Sequence, residues 1–237
     1  MNESHYVGAY WLARRETVED CARRAETFFS LLATCDPSLT HWFETGWTLE
    51  EALTHPFEAD AVSIAKAFNQ QERRPDEGFS LRIWNGVPHE AASTSLLCGE
   101  ASLWVSNVCL VDLPEEGSAA DRLLQVSLLT RMLRCMVVSW EPEWAVVTSG
   151  SLRRMQTESG EAGTFVGWIT YVSHRRGQVP PLPAPVQVEP VEDKGSLVIL
   201  TPERFSTSNP AHMELAHQVA EQLAWAGLLG PLRPWDG

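Results

Sequence analysis

The stretch "FVGWITYVSHRRG", residues 165–177, decides how this chain is interpreted. It combines an apolar run and polar-edged aromatic residues with a histidine and two arginines, as an active site or a β-strand would. Alternate residues of "TFVGWITYVS" place large apolar groups on both faces of an extended segment. This pattern predicts a strand covered on two sides, followed by a turn that carries His174, Arg175 and Arg176. No residue nearby in the sequence supplies the nucleophile or carboxylate that a catalytic His174 would need.

The length and composition indicate a globular protein. The chain has 237 residues, of which 44% are hydrophobic and 21% charged. We interpret 1–237 as one domain, with structural halves at 1–140 and 141–237. The apolar runs are shorter than the roughly 18–20 residues that a membrane-spanning helix needs. The start, "MNESHYVGAYW", lacks the features of a signal peptide. We therefore expect a cytoplasmic protein that does not associate with membranes.

The chain is strongly acidic, with 31 acidic residues against 18 basic ones and a net charge of -13. Such a surface repels nucleic acid and anionic lipid, and it either attracts a basic protein or merely keeps the chain soluble. The cysteines are odd in number and have no paired spacing, which predicts small buried hydrophobic residues without disulfides or zinc. They are Cys21, Cys35, Cys98, Cys109 and Cys135.

The first half of the chain shows alternating strand and helix signals. Thr17 with Asp20, and Thr48 with Glu51, are capping-box pairs that predict two helix starts, and Asp36-Pro37 ends the first helix. The predicted strands are 6–11, 79–86, 93–102 and 106–113, and further helices are predicted at 58–70 and about 119–138.

The second half follows the same order. The segments "EWAVVTS", "TFVGWITYVS", "PVQVEPV" and "SLVILTP" are predicted strands, "SLRRMQ" is a predicted short helix, and 179–185 is a proline-rich connector. Asn209 and Pro210 begin a last helix, which ends near Gly227. Each half thus has a strand, a helical segment, three strands and a helix. The sequence predicts an α+β fold, with one or two antiparallel sheets covered by helices and a pseudo-duplication of this unit.

Two motifs resemble metal-binding or catalytic sites but have a structural explanation. In "HMELAH", His212 and His217 are five residues apart, about 140° around a helix, and cannot readily bind one metal ion. Glu192 and Lys194 resemble a nuclease fragment, but Asp193-Lys194-Gly195 is typical of a hairpin turn. The sequence contains no phosphate-binding loop, nucleophile elbow or deaminase zinc motif. We therefore predict no catalytic residue, no cofactor and no metal site.

Three segments in the same order resemble a known family. They are "YVGAYWLARRETVEDCARRAETFFSLL" near the start, "SLRIWNG" in the middle and "VGWITYVS" late in the chain, and together they resemble the immunity protein 52 family of bacterial polymorphic toxin systems. The resemblance implies a non-enzymatic antitoxin. Members occur beside toxins that carry a restriction-endonuclease-like nuclease domain, and they are presumed to bind and neutralise these toxins. The matching residues are structural aromatics and glycines, so the family supplies no contact residues.

The acidity agrees with what this resemblance implies. A nuclease presents a basic face to phosphate, and clustered carboxylates on an inhibitor imitate that phosphate, while aromatic anchors add affinity. The acidic segments "DLPEEGSAAD" and "SWEPEW" and the turn "WNG" are the places where we expect toxin contact. The predicted toxin-binding residues are Trp84, Asp112, Glu115, Glu116, Asp121, Glu141, Glu143 and Trp144.

Two other interpretations stay open at this point. One is a hydrolase-type enzyme that uses His174, or His212 with Glu214. The other is a structural or adaptor protein that binds through the proline-rich connector or through exposed tryptophans.

Overall fold

The computed structural model describes residues 3–72, 74, 77–157 and 164–232, which form one ten-stranded sheet with helices. The strands are β1 (His5–Trp11), β2 (Trp42–Glu44), β3 (Pro56–Phe57), β4 (Phe79–Trp84), β5 (Ser93–Cys98), β6 (Asn107–Asp112), β7 (Trp144–Ser149), β8 (Ile169–Ser173), β9 (Gln187–Val191) and β10 (Gly195–Ile199). The helices are α1 (Val18–Ala33), α2 (Leu49–Leu53), α3 (Ala61–Asn69), α4 (Gly117–Leu123), α5 (Val126–Trp140), α6 (Gly150–Thr157) and α7 (Pro210–Trp225), with a 3₁₀ turn at Pro37–Leu39.

The sheet runs in the order β3-β2-β4-β5-β6-β1-β7-β8-β10-β9, and its neighbouring strands are antiparallel. The N-terminal strand β1 lies near the middle. Its residue Gly8 is opposite Leu110 of β6 on one side and Val146 of β7 on the other. The predicted α+β class with an antiparallel sheet is confirmed.

The two halves of the chain differ in their elements and in their strand pairing. Both contain a strand followed later by three strands and a helical end, but the first half also contains β2 and β3 and ends in two helices, α4 and α5. In the first half, β1 pairs with β6, the last of its three strands, whereas in the second half β7 pairs with the first, β8. The duplication therefore stays a prediction.

Helices α1, α3 and α5 cover one face of the sheet. The Thr17 hydroxyl accepts a hydrogen bond from the Asp20 amide, and the Asp20 carboxylate accepts one from the Thr17 amide, which confirms the first capping box. Phe28 and Leu32 of α1 are fully buried at the four-residue spacing of one helix face. This helix packs on α3 and α5, and α5 packs on β1 and β7. At the second predicted capping box, Thr48 caps α2, but the Glu51 carboxylate accepts from the Trp47 amide instead.

The predicted helix at 119–138 is two helices, so the prediction is wrong about its continuity. Helix α4 ends at Leu123, α5 begins at Val126, and the two are bent by 74°. Leu123 at the end of α4 and Leu124 after it are both buried, so the junction between the two helices lies in the core. Within the described residues no single helix is long and apolar enough to cross a membrane; α4 and α5 reach that length only together, across their bend.

Residues 165–177 contain a strand and its exit turn. Strand β8 begins only at Ile169, later than predicted, because the chain turns at Gly167, whose amide donates to the Thr170 hydroxyl. A Cβ at Gly167 would lie 2.4 Å from the Val147 carbonyl oxygen, so only glycine allows this approach. The residues of β8 are buried on both faces, as predicted. His174 follows in the turn, where its Nδ1 is hydrogen-bonded to the Asp193 carbonyl.

Other local predictions agree with the structure. Glu192, Asp193 and Lys194 form the turn between β9 and β10, and Asn209 caps α7 with Pro210 at its first position. Strand β5 ends at Cys98, earlier than predicted, because Gly99 adopts a positive φ of 72°. The five cysteines are buried free thiols.

Candidate functional site

Strands β4, β5, β6 and β1 bury one side of the sheet and leave the other side partly exposed. Burial alternates along each strand, as expected for an antiparallel sheet packed on one face. The fully buried side, which includes Val7, Ile83 and Val111, belongs to the main core. The partly exposed side is called the open face below. It consists of Tyr6, Tyr10, Ser80, Arg82, Trp84, Ser93, Ser95, Leu97, Val108, Leu110 and Asp112.

The register places two of the predicted binding residues in one row across the open face. Trp84 is opposite Ser93, Ser93 is opposite Asp112, and Asp112 is opposite Tyr6. The Ser93 hydroxyl donates to the Asp112 carboxylate at 3.0 Å, and the Trp84 indole donates to the Glu44 carbonyl at 3.3 Å. These bonds hold the row in place, so it is preorganised for contact.

The open face is mostly apolar and hydroxylic. Arg82 and Asp112 are its charged members, and serine, tyrosine, leucine and valine make up most of the rest. Burial raises the pKa of Tyr6 and Tyr10, because both side chains pack against the cluster of Trp144, Val146 and Phe165 at one end of the face. A surface of this composition resembles the mixed apolar and polar patches through which proteins bind one another. Sequence patterning missed this face because its half-buried residues include Leu97, Val108 and Leu110, which look like core residues.

A second surface lies at the end of the sheet where β6 ends and β1 begins. It is a cleft of about 390 Å³, called the acidic cleft below. Its lining brings together three predicted residues, Glu115, Glu116 and Asp121, with Glu3 from the N-terminal segment. The complete lining is Glu3, His5, Glu115, Glu116, Gly117, Asp121, Arg204, Phe205 and Ser206.

The charges of the acidic cleft are mainly negative. Burial lowers the pKa of His5, so its ring is neutral at pH 7, and Arg204 contributes a positive charge. Burial also opposes ionisation of Glu3, but hydrogen bonds from Thr207, Ser149 and Ser206 outweigh it and lower the Glu3 pKa. None of the ion pairs found within the described part of the chain involves Glu115 or Asp121.

The loop that carries Glu115 and Glu116 is fixed by a carboxylate from another segment. Glu90 accepts hydrogen bonds from the Ala119 amide at 3.0 Å and the Ser118 hydroxyl at 3.1 Å, at the start of α4. These bonds lower the pKa of Glu90 and satisfy free amides of the helix end. Gly117 adopts a φ of 88°, and a Cβ there would lie 2.4 Å from the Glu90 carboxylate. The glycine and the carboxylate together position the rim of the acidic cleft.

The second predicted acidic segment, "SWEPEW", lies next to basic side chains. Glu141 lies 2.9 Å from the Lys194 ammonium and 3.9 Å from Arg24, and Glu143 lies 3.3 Å from Arg175. The hydrogen bond from Lys194 lowers the pKa of Glu141. Nearby, Glu16 pairs with both Arg14 and Arg24. We call this network the paired cluster; its members are Arg14, Glu16, Arg24, Glu141, Glu143, Arg175 and Lys194.

The tryptophans of "SWEPEW" are inside the protein. Trp144 is only 2% exposed and packs against Tyr10 and Phe165, so it offers no surface to a partner. Trp140 stacks on Trp11 in the core. Their positions at a helix end and on a strand with two buried faces explain the burial. The tryptophans that the structure exposes are at loops and a helix end: Trp47 (97%), Trp104 (78%) and Trp225 (95%).

Both histidines of "HMELAH" make local contacts that are typical of structural residues. His212 stacks on Phe205 and accepts a hydrogen bond from the Ser206 amide, while His217 lies 3.3 Å from Glu221 on the surface of α7. No group of three metal-ligating side chains is found among the residues that the structure describes.

Comparison with known proteins gives one family and one shared fold. Residues 3–232 match the family model described as Immunity protein 52. The Pseudomonas aeruginosa T6SS protein PA0821 has a similar structure, with a TM-score of 0.56 and 12% sequence identity; the match covers 92% of this chain and 72% of that chain. Identity at this level shows a shared fold alone. No curated protein matches the chain in sequence.

Proposed function

The chain belongs to the immunity protein 52 family, and from that premise we propose that it binds a cognate toxin and neutralises it by occupying the toxin's surface. The observation that carries this proposal is the open face, a preorganised and partly apolar sheet surface of the kind that protein partners cover. On this proposal the protein acts in stoichiometric amounts and catalyses no reaction.

We further propose that the toxin is a nuclease with a basic face. The net charge of -13 favours encounter with a basic protein, and the acidic cleft concentrates carboxylates near the row that contains Asp112. The toxin would then meet Glu115, Glu116 and Asp121 with the residues that normally hold phosphate. A cytoplasmic location and a secretion-system toxin belong to the same proposal, the latter in keeping with the fold shared with a T6SS protein.

Face-on binding suits this sheet better than addition of a strand at its edge. At one edge, β9 contains Pro190, which has no amide hydrogen to donate, and its carbonyl accepts a hydrogen bond from Arg134. At the other edge, β3 has only two residues. Both edges therefore offer little backbone to an incoming strand, whereas the open face offers side chains from four strands.

The proposal is tested by co-expressing this protein with the toxin-domain protein encoded beside its gene. We expect the two to co-purify, and cells that make the toxin to survive only when this protein is present. Absence of a complex at micromolar concentrations, together with no rescue, would overturn the proposal.

The location of the contact is tested with a matched pair of substitutions. Ser95→Arg places a bulky cation in the centre of the open face, between Arg82 and Leu110. Ser30→Arg makes the same change on the exposed side of α1. We expect the first to weaken toxin binding about 100-fold or more, because it disrupts the centre of the contact, and the second to leave binding unchanged. Equal affinities of the two variants, measured by calorimetry, would exclude the open face.

A further inference from the structure

Two of the five cysteines lie within reach of one another although they are 100 positions apart. Cys35 follows the end of α1, and Cys135 lies in α5. Their sulfur atoms are 3.7 Å apart. Both are slightly exposed, at 7% and 8%, whereas Cys21, Cys98 and Cys109 are 0% exposed. This pair therefore differs from the other thiols in its access to solvent; Cys98 also has a thiol neighbour, Cys21, but both of those residues are fully buried.

We propose that Cys35 and Cys135 form a site of reversible oxidative modification, at which a hydroperoxide converts the two thiols into a disulfide. In the first step the Cys35 sulfur attacks one oxygen of hydrogen peroxide, which breaks the O–O bond and gives Cys35 sulfenic acid and water. In the second step the Cys135 sulfur attacks the sulfenic sulfur, which releases a second water and leaves the disulfide. The two thiols lose two electrons and two protons, and the peroxide is reduced to two waters.

The surroundings make Cys35 the attacking residue. The Cys35 and Cys135 sulfurs are hydrogen-bonded to each other, and this bond, with the nearby Arg131 guanidinium, lowers the Cys35 pKa despite its burial. The guanidinium is held in place by a hydrogen bond to the Thr34 carbonyl. Because the thiolate is the nucleophile in oxidation, a lowered pKa favours reaction at Cys35. The pKa of Cys135 is raised, since a charge there would face the Cys35 sulfur.

Cys98 and Cys109 have the opposite environment, and Cys21 is shielded from solvent as they are. Burial raises the pKa of Cys98 and Cys109, and neither is accessible to solvent. Their thiols are therefore protonated and shielded, which makes buried cysteines inert. Selective reaction at the Cys35–Cys135 pair follows from this contrast.

The two sulfurs need only a short approach to bond. A disulfide has sulfurs about 2 Å apart, so each side chain must shift by less than about 1 Å. Cys35 lies beyond the last residue of α1, where the backbone is less constrained than in a helix interior. The resulting bond would tie the end of α1 to α5, within the helical layer and away from the open face. We therefore expect the oxidised protein to bind the toxin as the reduced protein does.

The test is to treat the folded protein with hydrogen peroxide and to map its thiols by mass spectrometry. We expect a mass loss of about 2 Da. We also expect a peptide that links Cys35 to Cys135 and separates on reduction with dithiothreitol. In Cys135→Ser, Cys35 should accumulate as a sulfenic acid that dimedone labels, and Cys35→Ser should form no cross-link. Cys109→Ala, which removes a fully buried thiol, should cross-link as the wild type does.

Three outcomes would overturn the inference. The first is that no cross-link forms although the peroxide oxidises the protein elsewhere. The second is a cross-link that joins other cysteines. The third is conversion of Cys35 to sulfinic acid in the wild type while Cys135 remains a free thiol. Because the wild-type map reports on each cysteine separately, the result does not depend on how well any variant folds. It also does not depend on whether a toxin binds.

Discussion

The acidic cleft and the paired cluster come from segments of similar composition but have different electrostatic surroundings. "DLPEEGSAAD" places Glu115, Glu116 and Asp121 on the rim of a cleft with few cations. "SWEPEW" places Glu141 and Glu143 against Lys194 and Arg175, which come from the far end of the chain. A run of acidic residues therefore predicts a negative surface only where its carboxylates outnumber the cations that the fold brings to them.

The roles of the two regions should therefore differ. Carboxylates of the paired cluster join α1, the end of α5, the turn after β8 and the β9–β10 turn, so they hold the fold together. Glu115 and Asp121 are exposed on the rim of the acidic cleft and, within the described residues, take part in none of the ion pairs, so we expect them to act on a partner. Mutations in the first region should change stability, and mutations in the second should change association.

The largest effect is expected at Glu16, the most buried carboxylate of the paired cluster. Its side chain is 8% exposed and lies 3.0 Å from Arg14 and 2.7 Å from Arg24. Glu16→Gln would remove the carboxylate closest to both guanidinium groups and leave only Glu141, 3.9 Å from Arg24, to offset their charge, so it should lower the free energy of unfolding by about 2 kcal/mol, as measured by urea denaturation. The matched change in the cleft, Asp121→Asn, should alter it by less than about 0.5 kcal/mol. Similar losses of unfolding free energy in both variants would contradict the different roles of the two regions.

The next largest effect is expected at Gly117, which shapes the rim of the acidic cleft. A Cβ at this position would meet the Glu90 carboxylate at 2.4 Å in addition to the strain of a φ of 88°. Gly117→Ala should cost about 1.5 kcal/mol of stability. Gly227→Ala has a similar φ of 72° but open space around it, so it measures the backbone strain alone. If thermal or urea unfolding shows equal costs at both glycines, the Glu90 contact does not constrain the rim.

We expect slower association with the toxin when the negative charges of the acidic cleft are replaced by positive ones. The double substitution Glu115→Lys with Glu116→Lys should slow toxin association about 10-fold at low salt and flatten its salt dependence, because both residues steer the basic partner. Glu214→Lys with Glu221→Lys changes the net charge equally on the exposed side of α7. If stopped-flow measurements show that association with the toxin slows equally for both double variants, net charge, and not the cleft, directs the encounter.

Much of the fold was predictable from the sequence because local signals agreed with the tertiary structure. The capping residues Thr17 and Asn209 mark real helix starts, and the alternation in β4 to β6 marks real strands. The bend after Leu123 was not predictable, because the same leucine-rich pattern suits a straight buried helix. It depends on how α4 and α5 each meet the core.

The candidate site was predictable only in part. Glu115, Glu116 and Asp121 are close in sequence, and their turn and helix keep them close in space. That Glu3 and Arg204 line the acidic cleft was not predictable from the sequence, because β1 and the segment after β10 come together there only through the sheet order. The same long-range pairing hides the cations that neutralise Glu141 and Glu143. Sequence therefore indicates where charge is placed, while topology decides which charges face each other.

The smallest effect is expected at Lys194, and its pH dependence separates an ion pair from a packing contact. Lys194 lowers the pKa of Glu141 below its ordinary value of 4.5. A carboxylate with a lowered pKa in the folded state adds stability above pH 4.5, and this contribution is lost as the pH falls through the lowered value. Lys194→Gln should therefore cost roughly 0.5 kcal/mol at pH 7, where this partly exposed pair is intact.

The difference between Lys194→Gln and the wild type should close below pH 4.5, because protonated Glu141 no longer attracts the ammonium. Urea denaturation at pH 7, 5, 4 and 3 measures this, and Lys66→Gln on α3 controls for the loss of one lysine. A difference that persists unchanged at pH 3 would mean that Lys194 stabilises the β9–β10 turn through its aliphatic stem. In that case Glu141 would be as available to a partner as the carboxylates of the acidic cleft, and the paired cluster would join the candidate surface.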